Sequence, residues 1–308
     1  MQLGPDQRLY ILAFDHRGSF QTKFFGIEGE PDPEQTAIIA DAKHLIFEGL
    51  LRACSAGAEP ASTGVLVDEQ FGSTVPEEAR QKGLILAMPA ERSGQEMFEF
   101  QYGDDFGEHI ERYDPDFTKV LVRYNPDGDA AGNEQQLARL KRLSDWLKQR
   151  DRSFLFELLV PAEDSQLQAV GGDTERYDAE LRPELMRRAI AAIQDGGVDV
   201  DVWKIEGVEE RADCEMLVAQ ARSGGRDDVV CLVLGRGADD AKVDHWLTQA
   251  APVDGFIGFA IGRSIWWDPL KAYVDGKIER SQGAQTIAAN YLRFVDVYER
   301  AAGKTPVA

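Results

Sequence analysis

The sequence predicts an α/β protein with the (β/α)8 barrel fold. Eight short β-rich segments recur along the 308 residues, and patterns with helical spacing separate most of them. Alternating strands and helices predict a parallel sheet, and eight such units are enough to close it into a barrel. An open doubly wound sheet is the alternative, but the glycine-rich nucleotide turn that usually follows its first strand is missing from this sequence. We therefore predict a single barrel domain over 1–308.

Each element of the barrel has a local signal. The predicted strands are 9–16, 63–69, 84–89, 119–125, 154–161, 200–207, 229–235 and 255–262. The first helix, 33–54, begins with Asp32 as its N-cap and Pro33 at the first helical position, which proline favours. Apolar residues at helical spacing predict further helices at 133–150, 183–194, 211–222 and 239–251.

Two stretches depart from simple alternation. The tract 91–116 is rich in charged and aromatic residues and is too long for a simple connection, so it is predicted to cap the barrel mouth. The pattern 284–301 predicts a helix that closes the barrel or packs in a homo-oligomer. Its apolar positions are Tyr291, Phe294, Val295 and Tyr298.

The composition excludes some classes of partner. A net charge of -20 argues against binding to nucleic acid or to an anionic membrane, because such surfaces attract clustered Lys and Arg. Cys54, Cys214 and Cys231 show no metal or redox spacing and are expected to be reduced. The N-terminal residues do not resemble a leader, and no run of 18 apolar residues occurs. We expect a soluble, cytoplasmic protein.

Charged residues stand in or at the ends of five predicted strands, and the strand ends of a barrel converge on one mouth. Asp15 can cap a turn, and Lys119 can form an interior ion pair with Glu157. Considered alone, Lys204 also fits a structural ion pair better than a nucleophile. Charges within apolar strands are unfavourable unless paired, so the joint pattern favours a charged active centre. The candidate catalytic residues are Asp15, Lys119, Glu157 and Lys204.

Schiff-base chemistry uses all four residues. Lys204 would attack a ketone as a neutral amine, and the resulting iminium would act as an electron sink. Cleavage of the adjacent carbon–carbon bond would then leave an enamine. Lys119 nearby would disfavour a second cation, and Glu157 would shuttle protons. Asp15 would orient the reacting hydroxyl or share the proton transfers.

A phosphate-binding loop is predicted after the eighth strand. Gly262 lets backbone N–H groups approach an anion, Arg263 offers a bidentate guanidinium, and Ser264 adds a hydroxyl donor. Arg236 lies in the adjoining loop after the seventh strand, and these two loops commonly form the phosphate site of such barrels. A simple surface charge is the alternative interpretation of Arg263.

These residues resemble the class I, Schiff-base aldolases of the tagatose-1,6-bisphosphate aldolase group. The resemblance spans nearly the whole chain and includes Asp-x-Arg-Gly-Ser from Asp15, Asp-x-x-Lys-x-Glu around Lys204, and Gly262-Arg263. It implies a (β/α)8 barrel in which Lys204 is the Schiff-base residue. The catalytic set that it implies consists of Asp15, Lys119, Glu157 and Lys204.

A closer likeness is to the 5-dehydro-2-deoxygluconate-6-phosphate aldolase domain of inositol catabolism. It rests on 12–17, 66–72, 233–237 and the long, specific stretch 255–269. The likeness implies cleavage of 5-dehydro-2-deoxygluconate 6-phosphate into dihydroxyacetone phosphate and malonate semialdehyde. We predict a lyase that requires neither cofactor nor metal. The histidines other than His16 are His44, His109 and His245, and they lack ligand spacing.

Two positions depart from the tagatose enzymes. His16 replaces a glutamine and Arg123 replaces an aromatic residue. Extra cations at the mouth suit a substrate with a carboxylate at the end away from its phosphate, so Arg17 or Arg123 is predicted to bind that carboxylate, with His16 also in contact with substrate. An arginine paired to Asp127 or Asp129 is the structural alternative.

Other functions fit parts of this pattern. One is an aldolase for another ketose phosphate, of the tagatose bisphosphate or sulfosugar phosphate type. Another is a barrel that binds a phosphorylated ligand without catalysis. Such a binder would not require an unmatched amine, so the combination of Lys204, Glu157 and Asp15 favours the lyase. The predicted partner is a small sugar phosphate.

Overall fold

Eight parallel strands form a closed barrel in a computed structural model that describes residues 7–303. The strands follow one another around the barrel in chain order, and β1 pairs with both β2 and β8. Their bounds are β1 Leu9–Ala13, β2 Thr63–Leu66, β3 Ile85–Pro89, β4 Phe117–Arg123, β5 Ser153–Leu159, β6 Val202–Glu206, β7 Val230–Leu234 and β8 Phe256–Ile261. The predicted (β/α)8 barrel is confirmed, and the open sheet is excluded. The ends of the predicted span, 1–6 and 304–308, lie outside the described residues.

Helices surround the barrel between successive strands. Within the described part of the chain they are α1 Pro33–Ser55, α2 Glu69–Gly72, α3 Val75–Gln81, α4 Phe106–Tyr113, α5 Ala130–Lys148, α6 Asp164–Ala169, α7 Thr174–Arg176, α8 Arg182–Asp195, α9 Arg211–Ala221, α10 Asp240–Ala250, α11 Arg263–Val274 and α12 Arg280–Ala301. Two π-helical segments, Phe20–Phe24 and Tyr177–Leu181, and two 3₁₀ turns, Pro60–Ser62 and Gly103–Asp105, complete the set. None of the helices in 7–303 is long and apolar enough to cross a membrane.

Helix starts follow the capping chemistry of the sequence. The side chain of Asp32 accepts a hydrogen bond from the Gln35 backbone N–H, and Pro33 is the first residue of α1, as predicted. The last helix begins earlier than the predicted residue 284. Glu279 and Gln282 form a reciprocal capping box that extends α12 through Gly283. Gly283 is buried inside α12, where tertiary packing offsets the low helix propensity of glycine.

The last helix packs against the barrel wall. Four of its apolar side chains, Tyr291, Phe294, Val295 and Tyr298, are buried within this chain. The hydroxyl of Tyr291 donates to the Tyr10 carbonyl oxygen at 2.8 Å, and that of Tyr298 donates to the Phe256 carbonyl oxygen at 2.8 Å. These bonds satisfy the polar ends of two large side chains and attach α12 to β1 and β8.

The barrel interior changes from apolar to charged along its axis. Leu155 on β5 and Val202 on β6 belong to an apolar cluster inside the barrel. Glu157 and Lys204 come two residues later on the same strands and pair with each other in the β5–β6 register. Because side chains two residues apart point to the same face of a strand, both side chains enter the barrel above the apolar layer.

The tract 91–116 divides into two parts. Glu91 and Phe100 form an antiparallel bridge, and residues 92–95 and 97–98 line the cavity at the barrel mouth. The later part contains α4, where Phe106 packs against Trp146 of α5 on the outside of the barrel. The first part of the tract therefore lines the mouth cavity, and the later part packs on a helix.

Candidate active site

A cavity of about 350 Å³ opens at the carboxyl ends of the strands. All but one of the residues predicted to form the site line it, which places them around one space although they come from distant parts of the chain. They are Asp15, His16, Arg17, Lys119, Arg123, Glu157, Lys204, Arg236, Gly262 and Arg263. The exception is Ser264, whose hydroxyl donates to the carbonyl oxygen of Ala238 at 3.0 Å and so joins the loops after β7 and β8.

Lys204 and Glu157 form the centre of the site. Lys204 Nζ lies 3.0 Å from Glu157 Oε2, and the two residues are 2% and 6% exposed. Adjacent strands hold both side chains, so their separation is set by the β5–β6 register rather than by a loop. An amine at this distance can transfer a proton to the carboxylate without moving the backbone.

Lys119 connects the three carboxylates of the site. Its Nζ lies 2.8 Å from Asp15 Oδ2, 2.9 Å from Glu91 Oε1 and 3.1 Å from Glu157 Oε2. Lys119 lies near the start of β4, but its long side chain reaches Glu157, the carboxylate that also contacts Lys204. Burial opposes a charged lysine, but Asp15, Glu157 and Glu91 together raise the pKa of Lys119. Lys119 is therefore an ammonium ion that donates to Asp15 and Glu91 and forms an ion pair with Glu157.

The pKa values of the three carboxyl groups are shifted in different directions. Burial works to raise the pKa of Asp15, but Lys119, His16 and Lys204 hold it below its usual value. The same balance, with Lys119 and Lys204 as the cations, lowers the pKa of Glu157. For Glu91 burial prevails, and its pKa is raised despite the nearby charges of Lys119 and Arg17.

Glu91 was not identified by sequence analysis. It lies two residues beyond the end of β3, inside the charged tract 91–116. Its Oε1 accepts from Lys119 Nζ at 2.9 Å and from Arg17 Nη2 at 3.2 Å. The available signal was its place just past a strand end, the same kind of position as that of Asp15.

The residues after β1 have different environments. Arg17 is buried, and both terminal nitrogens of its guanidinium are engaged, with Nη1 donating to Gln101 Oε1 and Nη2 to Glu91 Oε1, each at 3.2 Å. The His16 ring packs edge-on against Trp266, and its Nδ1 is buried without a hydrogen-bond partner among the described residues. Burial lowers the pKa of His16 to about 4, so its imidazole is neutral near pH 7.

The loops after β7 and β8 form one cationic corner of the cavity. Arg236 has a φ of 56°, unusual for a residue with a side chain, and its guanidinium lies 3.0 Å from Glu206 Oε1 and 2.6 Å from Asp178 Oδ2. The buried Arg182 contacts both of those carboxylates as well. The Arg236 side chain is therefore paired, and these ion pairs hold its loop in place.

Arg263 is the freer cation of this corner. It begins α11, and its Nη2 donates to the Arg236 carbonyl oxygen at 2.9 Å, with no carboxylate partner among residues 7–303. Gly237 has a φ of 76°, in the left-handed region that favours glycine, and a Cβ atom there would displace the Arg263 guanidinium. Lys23 also lines the cavity.

Arg123 lies across the mouth from this corner, because β4 and β8 are opposite in an eight-stranded barrel. It is half-buried, and its Nη1 donates to the Gln95 carbonyl oxygen at 2.9 Å. Neither aspartate suggested as its partner pairs with it. Asp127 pairs with Arg188, and Asp129 caps α5.

No cluster of three or more His, Cys, Asp or Glu side chains with the geometry of a metal site occurs within the described residues. Of the remaining histidines, His44 lies 3.1 Å from Glu48 and 3.6 Å from Glu78, and His109 lies 2.7 Å from Glu69. His245 Nε2 lies 2.9 Å from the Glu209 carbonyl oxygen.

The barrel is similar to several solved aldolases. The fructose-bisphosphate aldolase from Plasmodium falciparum, solved with TRAP and a small-molecule inhibitor, has a TM-score of 0.63 at 15% identity over 96% of this chain and 91% of that chain. An archaeal fructose 1,6-bisphosphate aldolase gives 0.52 at 16% identity over 92% and 93%. A Schiff base-forming fructose-1,6-bisphosphate aldolase gives 0.54 at 16% identity over 94% and 96%. At these identities the likeness establishes the fold.

No curated protein matches this chain. A family model matches residues 4–302, which is nearly the full length. The chain therefore belongs to the family described as "Uncharacterized protein conserved in bacteria (DUF2090)".

Proposed function

We propose that this protein is a Schiff-base aldolase that cleaves a phosphorylated keto sugar acid. The observation that carries the proposal is the buried Lys204 amine, 3.0 Å from Glu157 Oε2 and lining an open cavity. A purely structural ion pair needs no access to ligand. The solved aldolases that share the fold, including one named as Schiff base-forming, also support this assignment.

The geometry suits the separate proton transfers of the reaction. Glu157 takes a proton from Lys204, and the neutral amine adds to the substrate ketone. Glu157 then returns the proton to the carbinolamine oxygen, water leaves, and an iminium forms. When the hydroxyl beyond the breaking bond loses its proton, the carbon–carbon bond cleaves, and its electron pair forms the enamine. Asp15 orients that hydroxyl or shares the proton transfer, and Lys119 supplies fixed positive charge.

The distribution of cations favours a substrate with an acidic group at each end. Arg263 and Lys23 lie on the β8 and β1 side, where backbone N–H groups at the start of α11 add to a seat for phosphate. Arg123 lies on the opposite side and has no carboxylate partner among the described residues. A single guanidinium suits a carboxylate better than a second phosphate.

These features support 5-dehydro-2-deoxygluconate 6-phosphate as the substrate, with dihydroxyacetone phosphate and malonate semialdehyde as products. Another ketose phosphate, of the tagatose bisphosphate or sulfosugar phosphate type, is the alternative within the same chemistry. Arg17, the other arginine considered for the carboxylate, is less suitable because Glu91 and Gln101 already occupy it.

Borohydride trapping tests the proposal. Reduction in the presence of dihydroxyacetone phosphate is expected to leave a covalent adduct on Lys204, identified by peptide mass spectrometry. Lys204→Met should abolish it, while the control Lys148→Met should not, because Lys148 is exposed and pairs with Asp199 far from the mouth. Dihydroxyacetone phosphate that binds without a trapped adduct would indicate the non-catalytic barrel. Activity that a chelator abolishes, again without an adduct, would indicate a metal-dependent aldolase.

A further inference from the structure

We propose that Glu91 is a further catalytic residue, whose free carboxyl oxygen contacts the aldehyde-forming half of the substrate and exchanges a proton with its hydroxyl. This inference rests on the aldolase function proposed above and assigns one of its proton transfers to a residue outside the set derived from sequence.

The position of Glu91 in the barrel supports this role. It lines the cavity just beyond β3, and β3 lies beside β4, which carries Arg123. The loops after β7 and β8, with Arg263, lie on the other side of the barrel. A substrate whose phosphate lies at Arg263 and whose ketone lies at Lys204 therefore directs its remaining half toward Glu91.

The hydrogen bonds of Glu91 leave one of its carboxyl oxygens available to the substrate. Its Oε1 accepts from Lys119 and Arg17, whereas its Oε2 is buried and has no hydrogen-bond partner among the described residues. Buried polar atoms without partners are rare in folded proteins and call for a specific explanation. A substrate hydroxyl supplies the missing partner. Because Oε1 remains fixed by two cations, Oε2 is held in one position to receive it.

The charges around Glu91 affect its pKa differently from those of its neighbours. Lys119 faces it from β4, and Asp15 and Arg17 face it from the end of β1. Burial raises the pKa of Glu91 despite the two cations, and Asp15 adds to that rise. The pKa values of Asp15 and Glu157 are lowered instead. Of the three carboxyl groups that contact Lys119, Glu91 is the one whose pKa is shifted upward, the direction that favours proton exchange with a substrate hydroxyl.

The reaction step balances without any other reactant. In cleavage, ionised Glu91 accepts the hydroxyl proton, and the O–H electron pair forms the aldehyde carbonyl. The carbon–carbon bond breaks, and its electrons neutralise the iminium on Lys204 as the enamine. In condensation, protonated Glu91 donates to the aldehyde oxygen while the enamine carbon attacks. Glu157 keeps its role beside Lys204 in both directions.

Glu91→Gln separates this role from the rest of the reaction. The variant keeps the size of the side chain but cannot donate a proton from a carboxyl group. Trapping of dihydroxyacetone phosphate on Lys204 should remain at the wild-type level, because it does not involve the aldehyde half. The kcat for condensation of dihydroxyacetone phosphate with malonate semialdehyde should fall by about 10²- to 10⁴-fold. The decline of wild-type kcat as pH rises through the raised pKa of Glu91 should disappear.

Glu99→Gln is the matched control. Glu99 lies in the same loop, but its side chain is 43% exposed and faces Arg92 at 3.5 Å, so its loss should leave kcat and the pH profile unchanged. A Glu91→Asp variant, which retains a carboxyl group, should recover part of the lost kcat.

The outcomes distinguish the two proposals. If wild-type protein forms no adduct on Lys204, the aldolase proposal fails, and the role of Glu91 fails with it. If wild-type protein forms the adduct but Glu91→Gln keeps its kcat and its pH profile, the aldolase stands and the role of Glu91 is overturned. Equal losses of trapping and condensation, with a lower melting temperature, would mean that Glu91 only holds Lys119 in place and would also overturn it.

Discussion

Lys43 and Lys204 are both buried lysines beside a carboxylate, yet they occupy different parts of the molecule. Lys43 lies in α1 and pairs with Asp68 behind the barrel wall, where it also donates to the Phe14 carbonyl oxygen at 2.8 Å. It does not line the mouth cavity, whereas Lys204 does. A second difference is that the partner of Lys204, Glu157, also contacts another lysine, Lys119.

The comparison shows that a buried ion pair by itself does not indicate chemistry. Burial lowers the pKa of Lys43, and Asp68 offsets part of that effect, but no ligand can reach the amine. Asp68 also caps α2 by accepting from the Phe71 backbone N–H at 2.9 Å, which fixes it as a structural residue. Access to a cavity and a shared carboxylate therefore distinguish the candidate nucleophile from the structural lysine.

Exchanging each lysine for methionine tests this distinction most directly. Lys204→Met should lower condensation activity by at least about 10³-fold, because the nucleophile is lost. We expect the unfolding free energy of that variant to change less than that of Lys43→Met. Activity assays and denaturant unfolding measure the two effects. Wild-type turnover in Lys204→Met would show that Lys204 is not the nucleophile.

Lys43→Met should show the opposite pattern. It leaves the buried Asp68 carboxylate unpaired, which is expected to lower the free energy of unfolding by about 3–5 kcal/mol. The fraction that remains folded should still trap dihydroxyacetone phosphate on Lys204. Adding Asp68→Asn should restore part of the stability, because the amide can cap α2 without a buried charge. Loss of trapping in the folded fraction would link Lys43 to the site.

Glu157→Gln tests whether the carboxylate shared by Lys119 and Lys204 takes the proton from Lys204. The amide cannot take a proton from Lys204, so the rate of adduct formation should fall by about 10²- to 10⁴-fold. Rapid-quench trapping with borohydride measures that rate. An unchanged rate would mean that another group activates Lys204.

Arg123→Leu tests the far end of the cavity. Loss of a charge-assisted hydrogen bond of about 1.5–3 kcal/mol should raise the Michaelis constant for a substrate with a terminal carboxylate by about 10- to 100-fold. A ketose phosphate without that carboxylate serves as the comparison substrate and should be little affected. Unchanged turnover and Michaelis constant with the acid substrate would rule out this role of Arg123.

The acid dependence of stability should show opposite trends for two neighbouring carboxyl groups. The pKa of Asp15 is lowered in the folded protein, so the stability it contributes is present above its unfolded pKa, about 3.9, and is lost as the pH falls below it. The pKa of Glu91 is raised, so its ionisation reduces stability as the pH rises above about 4.3. The unfolding free energy of Glu91→Gln relative to wild type should therefore increase with pH in that range.

Denaturant unfolding of Asp15→Asn and Glu91→Gln at a series of pH values measures both trends. The stability deficit of Asp15→Asn should grow as the pH rises toward 3.9 and then level off. If the two variants change in the same direction with pH, the assignment of opposite pKa shifts to these carboxyl groups is wrong.

Much of the fold was predictable because its signals are local. The eight strands were located to within a few residues, since short β-rich runs and the helices between them are encoded in neighbouring residues. The strand-end rule likewise brought Asp15, Glu157 and Lys204 to one mouth. Glu91 also lies just past a strand end, but it begins the charged tract 91–116, whose antiparallel bridge between Glu91 and Phe100 no local pattern predicts.

The sequence by itself determined the alternation of strands and helices and the identity of the charged residues at strand ends, because both follow from residue type and spacing along the chain. Only the tertiary structure decided which of those charges are paired. It joined Arg236 to Glu206 and Asp178, Arg17 to Glu91, and left Arg123 and Arg263 without carboxylate partners among the described residues. Ion pairing depends on distances of a few ångströms between residues far apart in sequence, and the closure of the barrel sets those distances.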